Sequence, residues 1–468
     1  MYQKWKRNNQ YRNVIRVCFP LVMSMSATTV MEFTDRVFLS NYSIDAISAV
    51  APAGITAYLF IALLGGIAGY TQVFIAQYHG AGKHSRIGAA LWQSLYFCLV
   101  AGCIFAVLSF FAAGPIFRLA GHPPEIVLLE EVYFNILCRG AVLHVAMNAL
   151  ASFFAGRGIT RPVMVFHILG MLVNIPLDYA LIFGAWGLPE LGVRGAALAT
   201  VAAWFLIAIL LALFTFTPKN IREYNLLSAR AFDRDLFLRL MKYGIPGSLQ
   251  FTLDILAFTF FILMMGRIGK LELAATNIVI SINALAFMPS MGVSQGVSAL
   301  VGQALGRVRP RQAKSVAWSS IHLLLIYILC IDVIFIFFPE EVLMLFIPES
   351  HSTAQYQEIV GLGVTLLRIV AAYLFFDAMY MVFSGVLKGA GDTRFMMWCI
   401  ALASFFCMIL PVFIGITYLN FSAEQAWYCV LVFIATLFFI VVFRYIQGKW
   451  QNMLVIERDA VITPIIKS

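Results

Sequence analysis

Residues 171–187 read MLVNIPLDYALIFGAWG. The stretch is apolar enough to lie in a membrane, yet Asn174, Pro176 and Asp178 fall within five positions of one another. The apolar run that contains it, 161–187, is long enough to cross a hydrocarbon core of about 30 Å as a helix, which takes about 20 residues. A helix that merely spans needs no amide, helix breaker or carboxylate. Two questions follow: how many such spans there are, and what three such residues do in one of them.

Working outward, similar runs recur along the chain. They predict twelve helices at 14–39, 45–78, 88–113, 126–157, 161–187, 193–217, 236–267, 274–305, 314–338, 357–388, 394–419 and 424–447. The composition agrees: 62% of the 468 residues are hydrophobic and 12% are charged, against about 25% charged in a soluble domain. The fold class is therefore an all-α membrane protein with twelve transmembrane helices. The basic start MYQKWKRNNQYRNVIR lacks a short apolar core followed by a small-residue cleavage site, so it reads as a cytoplasmic lead-in and not as a signal peptide.

The net charge of +9 is explained by topology. With both termini cytoplasmic, only Arg36, Arg118, Arg194, Arg267 and Lys270 fall outside, and Arg139 and Arg368 fall within spans. The rest of the 32 Lys and Arg lie on the inner side, as the positive-inside rule requires. This orientation predicts a multi-pass protein of the plasma (inner) membrane and removes the case for nucleic-acid binding. The eight cysteines all sit in hydrophobic runs without CxxC spacing, which reads as small buried hydrophobes and not as a metal or disulfide framework.

The chain also repeats itself. At a constant offset of 226 residues, Pro20 falls on Pro246, Ala49 on Ala275, Gln77 on Gln303, Gly80 on Gly306 and Trp92 on Trp318. A further slip of seven residues places Thr160-Arg161 on Thr393-Arg394. Two six-helix lobes are predicted, 1–225 and 226–468 (the second with a cytoplasmic tail), joined by the polar stretch 218–235. Six helices is an even number, so both lobes enter the membrane the same way. They should be related by a pseudo-two-fold axis along the membrane normal, an arrangement found in parallel-repeat transporters.

Charged side chains at membrane depth cost at least about 2.5–3.5 kcal/mol each and mark cavities or binding sites. Six acids are assigned to membrane depth: Glu32, Asp35, Asp178, Asp254, Asp332 and Asp377. Asn174 and Asp178 are four residues apart and share a helix face. Pro176 between them frees a backbone carbonyl. One face thus offers oxygen atoms, the ligands that hard cations take; a helix cap or a structural hydrogen bond would use the same residues. Counting 1.5 Å per residue, Asp178 lies about 25 Å from Arg161 and Asp35 about 32 Å from Val14, so both can meet at one depth in the outer half. Asp254 follows Pro246 by two turns, and Tyr373 lies one turn before Asp377 on the same face. Glu32, one turn from Asp35, either tunes it or faces headgroups, and Asp332 reads as structural. His144 falls on Asp377 in the slipped register, which points to the cleft or to a structural histidine.

MEFTDRVFLS (31–40), NIPLDYALIFG (174–184), GLPELGVRGAALAT (187–200), YGIPGSLQFTLD (243–254) and YLFFDAMYMVFSGVLKGAGDTR (373–394), in this order on a duplicated twelve-helix frame, resemble the multidrug and toxic compound extrusion (MATE) family over nearly the whole chain. The resemblance implies two lobes in a V around a central cleft, and export of amphipathic organic cations in exchange for H+ or Na+. It also implies a cation or proton site at Asp35, Asn174, Asp178 and Thr200, a bend in the first helix at Pro20, and a second acid cluster at Asp254, Tyr373 and Asp377. Sodium would be held at Asp35, Asn174 and Asp178, or at Asp254 and Asp377. Relatives of the NorM-like branch often carry Glu at the position of Asp254 and Asn at that of Asp178, so the chain mixes branch features.

Gln250, Asn283 and Phe287, in the helices bordering the cleft, and His144 are expected to line it. No cofactor beyond the coupling ion is implied, and the partners expected are small organic cations and the bilayer, with the chain acting as a monomer. A lipid-linked oligosaccharide flippase of the same superfamily is the alternative, but its pyrophosphate cargo asks for Lys and Arg in the spans. No HExxH or GxSxG motif suggests an intramembrane enzyme. Rings of acids can also serve a cation channel; coupled uphill transport separates the two.

Overall fold

The computed structural model describes residues 10–119, 121–345 and 354–457. Among them are twelve long helices. In the first half these are α1 (Tyr11–Tyr42), α2 (Ile44–Gly69, continued by Thr71–Gly80), α3 (His84–Phe111), α4 (Pro124–Gly156), α5 (Arg161–Phe183) and α6 (Val193–Thr215). In the second half they are α7 (Arg234–Ile268), α8 (Lys270–Gly306), α9 (Pro310–Phe337), α10 (Ala354–Ala390), α11 (Thr393–Ala403, running through a wide turn at Ser404–Ile409 into Leu410–Tyr418) and α12 (Ala423–Ile446). Eleven are long and apolar enough to cross a membrane unaided. The exception, α4, has ample length at 33 residues but carries Asn135, Arg139, His144 and Asn148. Three of these polar groups find partners locally: Asn148 Nδ2 contacts His144 Nδ1 at 3.1 Å, and the Arg139 guanidinium lies 5.3 Å from the Phe110 ring centre.

The helix ends follow from local chemistry. Asp233 caps α7 by accepting from Leu236 N at 3.0 Å, and Ser422 and Gln425 form a capping box at the start of α12. Gly184 ends α5 in the left-handed region at φ 70°, which favours glycine. The wide turn in α11 directly precedes Pro411, whose ring and missing N–H reject a regular α-turn. Pro20, the expected hinge, sits inside a continuous α1. Its missing N–H leaves the Arg16 carbonyl without its helical partner, and Thr160 Oγ1 points into that gap, 3.4 Å from Arg16 O and 2.9 Å from Val17 O.

The two halves pack alike. Within the first, α1 lies on α5, α2 and α6 on α4, and α3 on α4; within the second, α7 lies on α11, α8 and α12 on α10, and α9 on α10. Between the halves, α1 meets α8 and α2 meets α7, which are the same contact under the repeat. The equivalence extends to single residues. A methyl group on Gly66 would overlap Ser248 and one on Gly292 would overlap Val22; one on Gly80 would overlap the Gln303 carbonyl and one on Gly306 that of Gln77. Each pair is the image of its partner at the 226-residue offset. Gln77 Nε2 donates to Gly389 O at 3.0 Å and Gln303 Nε2 to Gly156 O at 2.8 Å, which reproduces the slipped offset. Reciprocity of this kind is what a two-fold axis imposes on an interface.

These contacts also locate the seam. Gly80 and Gly306 end α2 and α8 on the side of the molecule that carries the start of α1 and the end of α12, so the lobes touch backbone to backbone at the terminal side. The first helix does not belong wholly to the first lobe. Val14 and Cys18 join the hydrophobic core of the second lobe, because Gly292 and Gly296 on α8 leave room for close approach. Farther along, α1 turns to α5.

Candidate functional site

The first cluster forms where α1, α5 and α6 converge. Asn174 and Asp178 on α5 are completely buried and Asp35 on α1 nearly so, at 6% exposure. Thr200 Oγ1 lies 3.1 Å from Asp35 Oδ2 and 3.1 Å from the Ala196 carbonyl. The carboxyls of Asp35 and Asp178 are in interaction range of each other, and Asn174 is in range of Asp178. Yet Asp35 Oδ1, both oxygens of Asp178 and both side-chain polar atoms of Asn174 are buried without a hydrogen bond of normal geometry. These five atoms lie together in one place, and leaving a polar group buried and unpaired costs about 1–3 kcal/mol. The donor set is two carboxylates, an amide oxygen and a hydroxyl, which suits a hard cation. Among the described residues no three His, Cys, Asp or Glu side chains gather as a metal cluster.

The hydroxyl of Thr200 suits either charge state. A hydroxyl both donates and accepts. With Asp35 ionised, Thr200 donates to it; with Asp35 protonated, Asp35 donates to Thr200, which then donates to the Ala196 carbonyl.

A cavity of about 430 Å³ lies between the lobes, bordered by α1, α2, α4 and α6 on one side and α7, α8, α10 and α12 on the other. Its acids are Glu32, Asp35, Asp254 and Asp377, and its one lining Arg or Lys is Arg36. Its walls are mostly apolar and include aromatic faces, with Tyr58, Tyr133, Trp204, Phe251, Phe258 and Tyr380 among them. Size and character fit a small-molecule site: concave, mostly apolar, with a few convergent polar groups.

Of the residues singled out in the sequence, Asp35, Thr200, Asp254, Asn283, Phe287, Tyr373 and Asp377 border this cavity. Asn174 and Asp178 do not; they lie behind Asp35. Two of the expected cleft residues are also set back. His144 packs edge-on to Trp204, 5.2 Å between ring centres, and it is Trp204 that faces the cavity. Gln250 sits behind Tyr380, donating to its hydroxyl at 2.8 Å and to Ser384 Oγ at 3.2 Å. A bulky aromatic in front of each polar residue makes both supporting groups.

Two lining residues escaped sequence reasoning for identifiable reasons. Arg36 reads as an outer-side charge near the end of the first span, but it stands on the cavity wall one residue after Asp35. Tyr380 is one of many aromatics in α10, yet the spacing of Tyr373, Asp377 and Tyr380 already places all three on one helix face.

The MatE family profile matches residues 20–180 and 246–414, one stretch in each lobe. The multidrug resistance protein NorM of Aliivibrio fischeri is 27% identical over 400 residues, covering 85% of each chain. The multidrug resistance protein PmpM of Pseudomonas aeruginosa is 27% identical over 406 residues, covering 86% of this chain and 83% of its own. Among solved structures, an outward-facing multidrug resistance MATE family transporter of the MOP superfamily superposes with a TM-score of 0.85 at 19% identity, over 96% of this chain and 98% of its own. A MOP superfamily transporter from Pyrococcus furiosus does so with a TM-score of 0.84 at 20% identity, over 96% and 98%. A duplicated twelve-helix frame, a cleft between its lobes and a profile match in both halves lead to one assignment: this chain belongs to the MatE family, as a NorM-like transporter.

Proposed function

We propose that the chain is a secondary antiporter that exports amphipathic organic cations in exchange for H+ or Na+ by alternating access, from an inner membrane in which both termini are cytoplasmic. The observation that carries the proposal is the double contact of Asp35. One side of this residue borders the cavity, where cargo would bind; the other meets the fully buried carboxyl of Asp178. Two carboxylates in contact at membrane depth cannot both stay charged unless a cation joins them. A proton or sodium ion entering past Asp35 neutralises the pair. It thereby removes the negative charge that held a cationic cargo in the cavity. Cargo and coupling ion compete for one charge, which is what exchange requires.

The cargo class rests on the lining. Four acids against one arginine, set among aromatic faces, attract a cation with a flat apolar body. Both NorM and PmpM carry multidrug resistance in their names, which supports drugs as cargo. A pyrophosphate-linked lipid would meet the opposite polarity, so flipping of lipid-linked oligosaccharides is disfavoured.

Reconstitution of the chain in proteoliposomes with a fluorescent organic cation, under separately imposed H+ and Na+ gradients, tests the reading. Uphill movement of the dye driven by one gradient is expected. Downhill leak that neither gradient can reverse would make the protein a channel. In the same assay Thr200→Val, which keeps shape but loses the hydroxyl, should slow dye movement roughly tenfold, the scale of a hydrogen bond to a charged group. Thr200→Ser should stay near the parent rate; equal loss in both would assign Thr200 a packing role. Asp254→Asn and Asp377→Asn should each raise the KM for the cation by roughly tenfold or more while leaving expression and melting unchanged. An unaltered KM in both would remove the second lobe's acids from cargo binding.

A further inference from the structure

The segment after α12 crosses from its own lobe to the other. It makes one tight turn at Lys449–Asn452, pinned by Trp450, which stacks on Tyr445 at 5.2 Å and donates to its carbonyl at 3.0 Å. The chain then runs across the terminal side of the seam. Val455 N donates to Gln77 Oε1 at 2.8 Å, and the other end of the same amide, Nε2, holds Gly389 O of the second lobe. Val455 and Ile456 are buried in the first lobe's core beside residues such as Tyr70, Phe74 and Tyr78. Glu457 is the last described residue of this stretch. Its carboxylate accepts from Tyr78 of α2 at 2.8 Å and from Arg86 of α3 at 2.6 Å, and it also pairs with Arg239 of α7. Arg86 in turn bonds Asp233, the cap of α7, at 2.9 Å.

Two features argue that this is more than a tidy chain end. First, it breaks the two-fold. The connector after α6 covers α3 of its own lobe, with Trp92 Nε1 donating to Leu226 O at 2.5 Å, whereas the segment after α12 seats itself on the opposite lobe. Second, the carboxylate is committed. Burial alone would raise the Glu457 carboxyl, but hydrogen bonds from Arg239, Tyr78 and Arg86 outweigh that and hold it down at about 2. A carboxyl held this far below the ordinary range of about 4.3 stays charged throughout the range in which cells operate, and its contribution is lost only as pH falls toward that low value.

We infer that residues 453–457 act as a strap across the α2–α7 seam, with Glu457 as the latch between Arg86 of one lobe and Arg239 of the other, and that the strap must release before the lobes part on the terminal side. The inference rests on the alternating-access reading above and adds to it a specific contact that biases the two states. The strap holds the cavity shut from the terminal side until the charge change at Asp35 and Asp178 favours the other arrangement.

The test uses the full-length chain on a cysteine-free background, spin-labelled at Ser85→Cys and Arg311→Cys. These two exposed, repeat-related positions lie at the starts of α3 and α9, on opposite lobes. Interlobe distances are measured in nanodiscs, with and without the coupling-ion gradient conditions. Glu457→Gln is expected to raise the long-distance population roughly two- to fivefold, the effect of losing a half-exposed ion pair, without lowering the melting temperature by more than a few degrees. Arg86→Gln should have a similar effect, and the double variant little more, since both remove the Arg86–Glu457 contact between the lobes. Glu457→Asp should restore part of the closed population. Two populations in the parent chain that Glu457→Gln leaves unchanged would overturn the strap alone. A single distance in every variant and condition would overturn the alternating-access reading and the strap with it.

Discussion

Asp35→Asn and Asp178→Asn, made one at a time, should each cut cation export by roughly tenfold or more, and the double variant should fall within about twofold of the worse single one. The magnitude follows from removing a charged partner in a buried site, where interactions with ionised groups are worth about 1.5–3 kcal/mol. The non-additivity follows from geometry. Both carboxyls serve one pair, and neutralising either removes the unit that takes up the coupling ion, so little is left for the second substitution to remove. Misfolding is a poor alternative, because Asn is close to Asp in shape and a neutral side chain enters a membrane more readily than a charged one. The variants should therefore melt no lower than the parent. Cation-induced release of protons, or dependence on sodium, should vanish along with export. Losses that multiply across the two positions would mean separate sites. Intact ion coupling in either variant would move the coupling site elsewhere, and the acids of the second lobe, Asp254 and Asp377, would be next in line.

Gly80→Val and Gly306→Val should impair transport equally and in the same way. Each glycine sits where a side chain would overlap backbone of the facing lobe, and a backbone carbonyl, unlike a flexible side chain, cannot swing aside. Overpacking of a tight contact costs about 1–3 kcal/mol, and here the cost falls only on the state in which the seam is closed. An energy difference of that size shifts a two-state equilibrium by roughly 5- to 150-fold. Both variants should expose residues at the seam to water-soluble thiol reagents from the terminal side and slow turnover. Gly361→Ala is the control: nothing lies within reach of a methyl group there, and Ala is the better helix former, so transport should be unchanged. Unequal effects at Gly80 and Gly306 would show that the repeat does not operate as two mechanically equivalent halves. Full activity in both would mean that closure of this seam is not a step in the cycle.

Much of this was present in the amino-acid sequence because it depends on local periodicity or on comparison of the chain with itself. The spans follow from apolar length, and the two lobes from the offset that maps Gln77 on Gln303 and Gly80 on Gly306. The pairing of Asp35 with Asp178 followed from the cost of placing a carboxylate at depth, which leaves few ways to arrange two of them at similar heights. Helix spacing alone put Asn174 and Asp178 on one face. Tertiary structure decided which of these residues meets the cavity and which stands behind. That Trp204 screens His144, that Tyr380 screens Gln250, and that Asp35 touches both the cavity and Asp178 depend on how helices rotate about their axes when they pack, and no single helix encodes its rotation. The same holds for Arg36, which packing turns onto the cavity wall, and for Glu457, whose partners lie more than two hundred residues away in the chain. Contacts so distant leave no periodic trace. They exist because folding the two lobes together brings a short apolar segment ending in a carboxylate against a seam that only the assembled molecule possesses.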